Sequence, residues 1–559
     1  MKLFIEPSEV ICILNIIKSD DFSQILCTLM ERKVFLNGNI HTLNESKPFA
    51  EALVISGNKI EFSGKNEEAK QFINTHADVI DLEGHWVLPG FIDSHAHIIL
   101  GGFYLLSVDL SGANSKDEFI SILKNYIYEN KERWITGGNW NHQNWSERIL
   151  PDKSWIDPFS KETPVFVMRM DYHMGLANSL ALKLAGINKH TPDPPGGFIE
   201  RDKQTGEPTG ILKDKAIDLI QKVIPEPSES DYSKAIDAAM KEAVRFGVTS
   251  IHDITYENHF KALQKAEKEN RLSSRVYTRL PIKYYESLIG SEIQYNFGSD
   301  KLKVGSLKAF ADGALGSSTA YFFEPYADDN DNFGLPMDIL KSGELEHQIL
   351  LSDKNKLQLS IHAIGDRAVS EVIDIVEKVN SRNGNWDRRF RIEHAQHMSD
   401  KDFERMRNLG IIVSAQPYHL FEDGDWMESK IGAGRMRNAY PFKKFLKNNI
   451  KLCFGSDWPV VTINPLKGIY AAVTRHTRKI QNDEGLIPEE KLTVADTVKA
   501  YTVDAAYAAF QEEKLGSLTE GKFADFVVLS ENIFDIPKEQ IKNVNVIKTV
   551  IDGKIVYSV

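Results

Sequence analysis

The chain has 559 residues, of which 42% are hydrophobic, and its 67 Lys and Arg against 79 Asp and Glu give a formal net charge of −12 at pH 7. This composition predicts a large folded core and excludes wholesale disorder. The acidic balance, without a long basic run, argues against a protein dedicated to binding nucleic acid or anionic membranes.

Residues 1–29 are predicted to form an N-terminal extension. Their apolar run at residues 10–17 contains Asn15, and a membrane-spanning helix needs about 20 apolar residues. Glu6 and Glu9 precede this run, where a signal peptide carries basic residues. The three cysteines of the chain form no CxxC pair, which argues against a disulfide framework or a thiolate zinc site. We therefore expect a cytoplasmic protein with no membrane partner.

Both ends of the remaining chain are rich in short β-strand patterns. KVFLNGNIHTL and ALVISGNKIEFSG occur in residues 30–86, and GSLTEGKFADFVVLS and VIKTVIDGKIVY occur in residues 515–559. The Asn-Gly and Gly-Asn pairs are typical of tight hairpin connections. We predict that residues 30–86 and 515–559 together build one β-sandwich, with residues 87–514 inserted between them.

The inserted region alternates short apolar strands with helix-length polar stretches. This alternation predicts an α/β fold, a (β/α)8 TIM-like barrel, rather than an open doubly wound sheet. No GxGxxG opens a helix after the first strand and no GxxxxGK[ST] occurs, so the usual marks of nucleotide binding are missing. The predicted strands lie at residues 87–93, 248–253, 275–280, 303–310, 357–362, 389–393, 411–416 and 451–456.

A long segment, at about residues 115–245, separates the first two predicted strands. It is too long for one crossover connection, so we predict an inserted subdomain there. Four of the eight tryptophans of the chain lie in it, at positions 134, 140, 145 and 155. Tryptophans clustered in this way are more often the core of a small subdomain than the lining of a substrate pocket.

Polar residues end several of the predicted barrel strands. Active sites of such barrels lie at the carboxyl ends of the strands, and residues i and i+2 of an extended chain point the same way. Imidazole and carboxylate ligands together favour zinc, iron, manganese or nickel over calcium or magnesium. The candidates are His95 and His97 on the first strand, Lys308 on the fourth, His362 on the fifth, His394 on the sixth and Asp457 on the eighth.

Each candidate taken alone has a structural explanation. A lone HxH is a weak signal, a histidine at a strand end is more often a hydrogen-bonded structural residue, and a carboxylate before Trp-Pro can simply begin a turn. All six candidates, however, fall at strand ends in a consistent order. Six independent structural explanations would have to coincide, so the pattern favours a metal site.

The same segments resemble a known family. PGFIDSHAH, LKAFADGALGSSTA, SIHAIGDRAV, RIEHAQ and FGSDWPV are similar to the successive strand-end motifs of the amidohydrolase superfamily, and more narrowly to its branch that includes N-substituted formamide deformylase. The similarity extends from about residue 31 to the C-terminus. It implies that His95 and His97 hold the more buried metal, and that the other four candidates complete the ligands of one or two divalent ions, with zinc the first choice.

The resemblance also implies roles for individual residues. An ammonium group has no lone pair, so Lys308 can bind a cation only when it is deprotonated or carboxylated by CO₂ to a bridging carbamate, which we expect. Divalent ions lower the pKa of bound water from about 15.7 toward about 7 and polarise a carbonyl. Asp457 would take the proton of this water and deliver it to the leaving nitrogen. The mechanism itself suggests His173, Asp312 and Ser317 as candidate substrate-binding residues. For His173 a structural role in the insert is an equal alternative, and for Asp312 the loop structure comes first and substrate contact second.

The sequence therefore predicts a metal-dependent amidohydrolase that cleaves a non-peptide C–N bond in a small molecule, such as an N-acyl or N-formyl amine or a cyclic amide. One alternative keeps the barrel and the metal but hydrolyses an ester or lactone, or deaminates a ring. Another is a metal-binding protein without turnover, against which the intact Asp457 counts. The oligomeric state is open, with a homodimer as the commonest assembly among soluble oligomers.

Overall fold

The structure is a computed structural model of the chain. It describes residues 32–130, 134–142, 145, 147, 149–169, 174–194, 197–214 and 216–559. The predicted N-terminal extension, residues 1–29, lies outside the described residues. The chain divides into two compact units. Among the described residues, one unit is Ile99–Ala239, and the other combines the residues up to Ile98 with Met240–Val559.

Strands and α-helices alternate along most of the described chain. The strands are β1 (Arg32–Leu36), β2 (Asn39–His41), β3 (Phe49–Ala50), β4 (Ala52–Ser56), β5 (Lys59–Gly64), β6 (Asp78–Asp81), β7 (Trp86–Pro89), β8 (Phe91–Ala96), β9 (Val108–Asp109), β10 (Gly137–Trp140), β11 (Phe166–Arg169), β12 (Met174–Ala177), β13 (Gly197–Arg201), β14 (Pro208–Asp214), β15 (Val248–Ile254), β16 (Arg275–Pro281), β17 (Phe297–Gly298), β18 (Leu302–Phe310), β19 (Gln358–Ala363), β20 (Arg391–His394), β21 (Ile412–Ala415), β22 (Leu452–Phe454), β23 (Phe526–Leu529), β24 (Val546–Ile551) and β25 (Lys554–Ser558). The α-helices are α1 (Asn66–Ala69), α2 (Ile98–Leu106), α3 (Lys116–Glu129), α4 (Ser179–Leu184), α5 (Ile217–Gln221), α6 (Glu229–Arg245), α7 (His259–Lys268), α8 (Tyr285–Gly290), α9 (Asp338–Lys341), α10 (Glu344–Lys354), α11 (Asp366–Asn383), α12 (Asp402–Leu409), α13 (Pro417–Asp423), α14 (Met427–Ile431), α15 (Ala433–Met436), α16 (Phe442–Lys447), α17 (Pro465–Thr474), α18 (Val494–Ala500) and α19 (Val503–Ala508).

The larger unit contains a nearly closed barrel of eight parallel strands, in the order β22-β21-β20-β19-β18-β16-β15-β8. The chain that follows β22 completes the barrel against β8. The Asp457 N–H donates to the His95 carbonyl at 2.6 Å, and the His97 N–H donates to the Trp458 carbonyl at 2.8 Å. The predicted α/β barrel is confirmed, and its strands are buried along most of their length, as covering helices require.

The helices between these strands are amphipathic. In α11 the buried positions include Val369, Val372, Ile373 and Val376, which recur every three or four residues. This spacing gives the helix one apolar face. Val369, Val372 and Ile373 belong to the large hydrophobic cluster that also contains residues of the barrel strands.

The prediction of one strand at residues 87–93 is wrong. Trp86–Pro89 is a strand of a terminal sheet, where it pairs antiparallel with β23, and Phe91–Ala96 is the first barrel strand, which pairs parallel with β15. Pro89 offers no N–H to a ladder. A Cβ on Gly90 would lie 2.2 Å from Thr249 Oγ1. The Pro-Gly pair therefore marks the point at which the chain changes its strand partner.

Strands from both chain ends pair in one sheet, in the order β25-β24-β23-β7-β2-β3. A second sheet has the order β5-β4-β1-β6. Phe35 of β1, Val87 of β7 and Phe526 of β23 belong to one buried hydrophobic cluster. The N-terminal and C-terminal β-rich segments are thus parts of the same packed structure.

The unit Ile99–Ala239 has its own sheet, in the order β13-β14-β12-β11-β10-β9. Trp140 and Trp145 are buried in its hydrophobic core together with Phe119. The indole N–H of Trp140 donates to the Val167 carbonyl at 2.9 Å. These two tryptophans are core residues, as the sequence indicated. The unit begins at Ile99, whereas the sequence placed the insert at about residues 115–245.

Within the part of the chain that the structure describes, no helix combines the length and the apolar character needed to cross a membrane.

Candidate metal centre

The candidate ligands lie on barrel strands or directly after them. His95 is the last residue but one of β8 and His97 follows that strand, while His394 is the last residue of β20. Asp457 comes three residues after the end of β22. Because the strands are parallel, their carboxyl ends meet at one end of the barrel.

Three of the candidates form a compact, buried group. One ligand atom each from His95, His394 and Asp457 lies within 4.8 Å of the others. His95 Nε2 is 3.3 Å from Asp457 Oδ1. His97 lies beside them, with its Nε2–H donating to the same Asp457 oxygen at 2.9 Å.

His362 and Lys308 adjoin this group. The His362 ring centroid is 4.4 Å from that of His394, and the His362 Nε2–H donates to the Gly313 carbonyl at 2.9 Å. A neutral imidazole that donates through Nε2 keeps its lone pair on Nδ1. Lys308 is buried, and its ammonium nitrogen lies 4.8 Å from the Phe310 ring centroid.

Several buried polar atoms of this group have no hydrogen-bond partner among the described residues: Lys308 Nζ, His394 Nδ1 and His97 Nδ1. Buried polar groups are ordinarily paired. The pattern is the one expected of ligands whose shared partner is a cation. Imidazole nitrogens with a carboxylate oxygen form a donor set that suits zinc and related divalent ions, so the residues present fit such a metal.

The contact between His95 and Asp457 also favours a bound cation. The His95 Nδ1–H donates to Glu393 Oε2 at 2.5 Å, so the neutral ring presents the lone pair of Nε2 to Asp457 Oδ1 at 3.3 Å. Two acceptors at this distance repel each other unless a proton or a metal ion lies between them. Burial lowers the pKa of His95 to about 4, which disfavours the proton.

Burial also sets the charge of the other groups. It lowers the pKa of His362 to about 3 and holds the pKa of His394 well below its ordinary value, so both rings are neutral and carry a lone pair. Burial lowers the pKa of Lys308 to about 7, so a large share of this amine is uncharged at neutral pH. Each of these is the protonation state that a metal ligand requires.

Asp457 is ionised. Burial by itself would raise its pKa, but positive charge at the His95 contact, together with the hydrogen bond from His97, outweighs burial and holds the pKa well below the usual range of a carboxyl group. A carboxylate that stays ionised can bind a cation and can accept a proton.

The backbone is strained at two of the candidate ligands. His394 has φ 73° and Asp457 has φ 63°, in the left-handed region that residues other than glycine seldom occupy. Such conformations persist where the surrounding structure holds them, and they concentrate at functional sites. His394 is the last residue of its barrel strand, and Asp457 lies three residues beyond the end of β22.

Glu393 is a residue that the sequence interpretation missed. Besides accepting from His95, its carboxylate lies 2.8 Å from Arg279 Nη1 and 3.0 Å from Arg391 Nε, and all three side chains are fully buried. The carboxylate fixes the His95 tautomer, which directs Nε2 toward the site. The available signal was a pair of opposite charges, Arg391 and Glu393, two positions apart in a short predicted barrel strand.

His419 is the second residue that was missed. It lies in α13, directly after the seventh barrel strand, and it is 7% exposed. Its Nε2 is 3.7 Å from Asp457 Oδ2. The signal in the sequence was a histidine three residues after a predicted strand, in AQPYHL.

The three candidate substrate-binding residues have different surroundings. Asp312 is buried and accepts backbone N–H bonds from Tyr321, Ile364 and Gly365 at 2.8 to 3.0 Å, so it ties together the loops after β18 and β19. Ser317 is exposed, and its hydroxyl contacts Thr319 of its own loop at 2.6 Å. His173 lies outside the described residues.

The chain is similar to proteins from plants and bacteria over nearly its full length. "Protein LONG AFTER FAR-RED 3" of Arabidopsis thaliana is 40% identical, over 93% of this chain and 91% of that protein. "Putative amidohydrolase YtcJ" of Bacillus subtilis is 33% identical, over 94% and 99%. "N-substituted formamide deformylase" of Arthrobacter pascens is 26% identical, over 95% and 99%.

Among solved structures, an uncharacterized metal-dependent hydrolase from Pyrococcus horikoshii is similar in fold and sequence. It aligns with a TM-score of 0.77 and 28% identity, covering 91% of this chain and 99% of that one. The model of the amidohydrolase family matches residues 78–557. With this match, the barrel and the grouped histidine and aspartate side chains, the chain belongs to the amidohydrolase family.

Proposed function

We propose that this chain is a metal-dependent hydrolase of non-peptide C–N bonds, acting on an N-acyl or N-formyl amine or on a cyclic amide. The observation that carries the proposal is the 3.3 Å approach of His95 Nε2 to Asp457 Oδ1, with His394 in the same group. Two acceptors held this close by a rigid barrel call for a cation between them.

The proposed ligands are the six residues at the strand ends, and zinc is the proposed metal, at one or two ions per chain. Bound there, the metal would make water more acidic and polarise the substrate carbonyl. The neutral rings of His95, His362 and His394 offer lone pairs for this purpose. Lys308 is the proposed site of a carbamate, because only an uncharged amine can react with CO₂ and burial lowers its pKa to about 7.

Asp457 is the proposed proton carrier. Its ionised carboxylate takes a proton from water while the remaining OH adds to the carbonyl carbon. The same carboxyl group then gives the proton to the nitrogen as the C–N bond breaks, so one water is consumed and an acid and an amine are released. The hydrogen bond from His97 at 2.9 Å holds Oδ1, which leaves Oδ2 as the atom that exchanges the proton.

The substrate class is supported by the relatives. N-substituted formamide deformylase of Arthrobacter pascens is named for an N-substituted formamide, and we propose substrates of that chemical type for this chain. Ester or lactone hydrolysis and ring deamination use the same water chemistry and remain the alternatives. Compounds that differ only at the bond to be cleaved separate these activities.

Metal content is the first measurement. Elemental mass spectrometry of protein purified without added metal or chelator is expected to give one or two divalent ions per chain. About two metal ions per chain would support the carbamate at Lys308. About one metal ion per chain would place Lys308 outside the ligand set. A protein that holds no metal, and gains no activity with zinc, manganese or iron, would overturn the proposal in favour of a binding protein without turnover.

Turnover is the second measurement. We expect the metal-loaded protein to hydrolyse N-benzylformamide or N-acetylbenzylamine faster than benzyl formate, relative to the uncatalysed rates. Asp457→Ala is expected to abolish turnover while metal stays bound through the histidines. Full activity in this variant would remove Asp457 from the mechanism.

We also propose that the protein acts in the cytoplasm as a homodimer. The absence of a CxxC pair in the sequence is consistent with a reducing compartment, and twofold assemblies are the commonest among soluble oligomers. Fractionation of cells and light scattering of the purified chain test these two statements.

A further inference from the structure

His419 is a buried histidine at the candidate metal centre. Gln396 contacts one of its ring nitrogens, and the other has no hydrogen-bond partner among the described residues. Its Nδ1 lies 3.2 Å from the side-chain amide nitrogen of Gln396. An amide N–H can only donate, so Nδ1 is the acceptor and the proton of the neutral ring is on Nε2. Gln396 therefore fixes which nitrogen of His419 is the donor.

The free end of the ring faces the reacting groups. Nε2 is 3.7 Å from Asp457 Oδ2, beyond hydrogen-bond distance, and it has no hydrogen-bond partner in the described part of the chain. The side chain is 91% buried, since its relative exposure is 9%. The His419 ring is stacked against that of His394, with centroids 6.2 Å apart. A buried N–H without a partner is costly, so a ligand that accepts from it would relieve that cost.

We infer that the His419 Nε2–H binds the carbonyl oxygen of the substrate and the oxyanion that forms from it. This inference rests on the proposed hydrolysis. Asp457 is the proposed proton carrier, and the His419 Nε2–H lies 3.7 Å from its Oδ2, so a carbonyl attacked by water held at Asp457 would come within reach of this donor. In acyl transfer, a hydrogen-bond donor that is already in place where negative charge develops stabilises the transition state strongly. His419 is then a substrate-contacting residue and is not a metal ligand.

A tetrahedral anion that undergoes no reaction is a suitable probe. Methylphosphonate has oxygens placed like those of the adduct of water with an N-acyl amine. Isothermal titration of the metal-loaded protein with methylphosphonate would compare wild type with two variants. His419→Leu removes the donor and fills the space, and His419→Gln keeps an amide N–H near the position of Nε2.

We expect His419→Leu to weaken methylphosphonate binding about tenfold to a hundredfold, as for loss of a hydrogen bond to a charged group, and His419→Gln to restore most of it. On N-benzylformamide, His419→Leu is expected to lower kcat by about a hundredfold to a thousandfold, with a smaller change in KM. Metal content per chain should stay that of wild type in both variants.

His397→Leu is the matched control. His397 is also a buried imidazole, but it packs against the Phe322 ring at 5.2 Å and lies outside the group of candidate ligands. The same substitution there is expected to leave methylphosphonate affinity unchanged, provided that the melting temperature shows a folded protein.

The outcomes separate the two proposals. Loss of metal from His419→Leu, unchanged methylphosphonate affinity, or no methylphosphonate binding by wild type would each overturn the role of His419. If wild type binds methylphosphonate through His419 but hydrolyses no N-acyl amine, the oxyanion site stands and the proposed substrate class fails.

Discussion

Glu393 is an ionised carboxylate at the centre of the barrel, where it has no exposure to water. Burial alone would raise its pKa, but Arg279 and Arg391 outweigh burial and hold the pKa well below the ordinary value. The charge is therefore available to accept the Nδ1–H of His95. A hydrogen bond from the far side of a ligating imidazole to a carboxylate orients the ring and raises its basicity.

Glu393→Gln tests this role. The amide keeps the shape of the side chain but removes the charge, so we expect metal affinity to fall by about 10-fold to 100-fold. Competition with a chromogenic chelator measures it. Glu377→Gln is the control, because Glu377 pairs with Arg405 at the surface. An affinity equal to that of wild type, in a protein that is still folded, would contradict the role.

The grouping of the candidate ligands was predictable from their places at strand ends, but the contacts that support them were not. The sequence places His95, His394 and Asp457 at strand ends, and the structure brings them together. No local pattern indicated that Glu393 contacts His95, since the two are separated by 298 positions. Such a contact depends on which strands are neighbours across the barrel interior.

At the scale of elements, the barrel closes where β8 meets the chain that follows β22. A Cβ built on Gly455 would lie 2.3 Å from the His95 backbone nitrogen, so only glycine permits this approach. The Asp93 carboxylate connects the two sides of this closure, which we call the seam. It accepts from the His95 N–H at 3.0 Å and from the Ser456 hydroxyl at 2.6 Å. Closure of the barrel and placement of His95 therefore depend on the same contacts.

Gly455→Ala is expected to push β8 away from the seam. Forcing a methyl group into a packed position costs about 1–3 kcal/mol, and the shift displaces His95, so both the melting temperature and the bound metal should fall. Gly434→Ala is the control, because a Cβ on Gly434 meets no atom within 4 Å. Wild-type stability together with full metal content in Gly455→Ala would contradict this prediction, because it would show that the seam accommodates a methyl group.

Most barrel strands were predictable because each is a short segment with β-branched or other apolar residues that lies between helix-length polar stretches. The prediction of residues 248–253 corresponds to Val248–Ile254, and that of 303–310 to Leu302–Phe310. The first strand was predicted with the wrong bounds, since an apolar run does not reveal that its two halves pair with different sheets.

At the scale of the whole molecule, ion pairs tie the barrel to the C-terminal strands. Arg275 of β16 forms a buried bidentate pair with Asp525, at 2.7 and 3.0 Å, and also contacts Asp552. Lys301 reaches Asp552 at 2.8 Å. Removing one partner of a buried ion pair lowers the stability of the fold, because the other charge stays buried without a partner.

The acid sensitivity of the fold should depend on Asp552. Burial would raise its pKa, but Arg275 and Lys301 outweigh burial and lower it. The resulting stability is fully present above the unfolded pKa of about 3.9 and is lost as the pH falls through the lower folded value. We expect Asp552→Asn to be less stable than wild type at pH 6, with the difference shrinking below about pH 4. Melting temperatures across this range measure it, and a constant difference would contradict the assignment.

Metal removal should also act on the whole fold. A ligand that binds only the folded state stabilises it in proportion to its affinity and concentration, so dialysis against a chelator is expected to lower the melting temperature and added zinc to restore it. His95→Ala should lack most of this restoration. A melting temperature that is insensitive to chelator, in protein known to contain metal, would place that metal away from the barrel.

The sequence by itself determined the barrel class, the places of most barrel strands and the polar residues that end several of them, because these are local properties of the chain. Only the tertiary structure decided which acceptors face each other, as His95 and Asp457 do at 3.3 Å, and which buried group supports them, as Glu393 supports His95. Contacts of that kind join residues hundreds of positions apart. They depend on strand order, closure and burial, which no local pattern records.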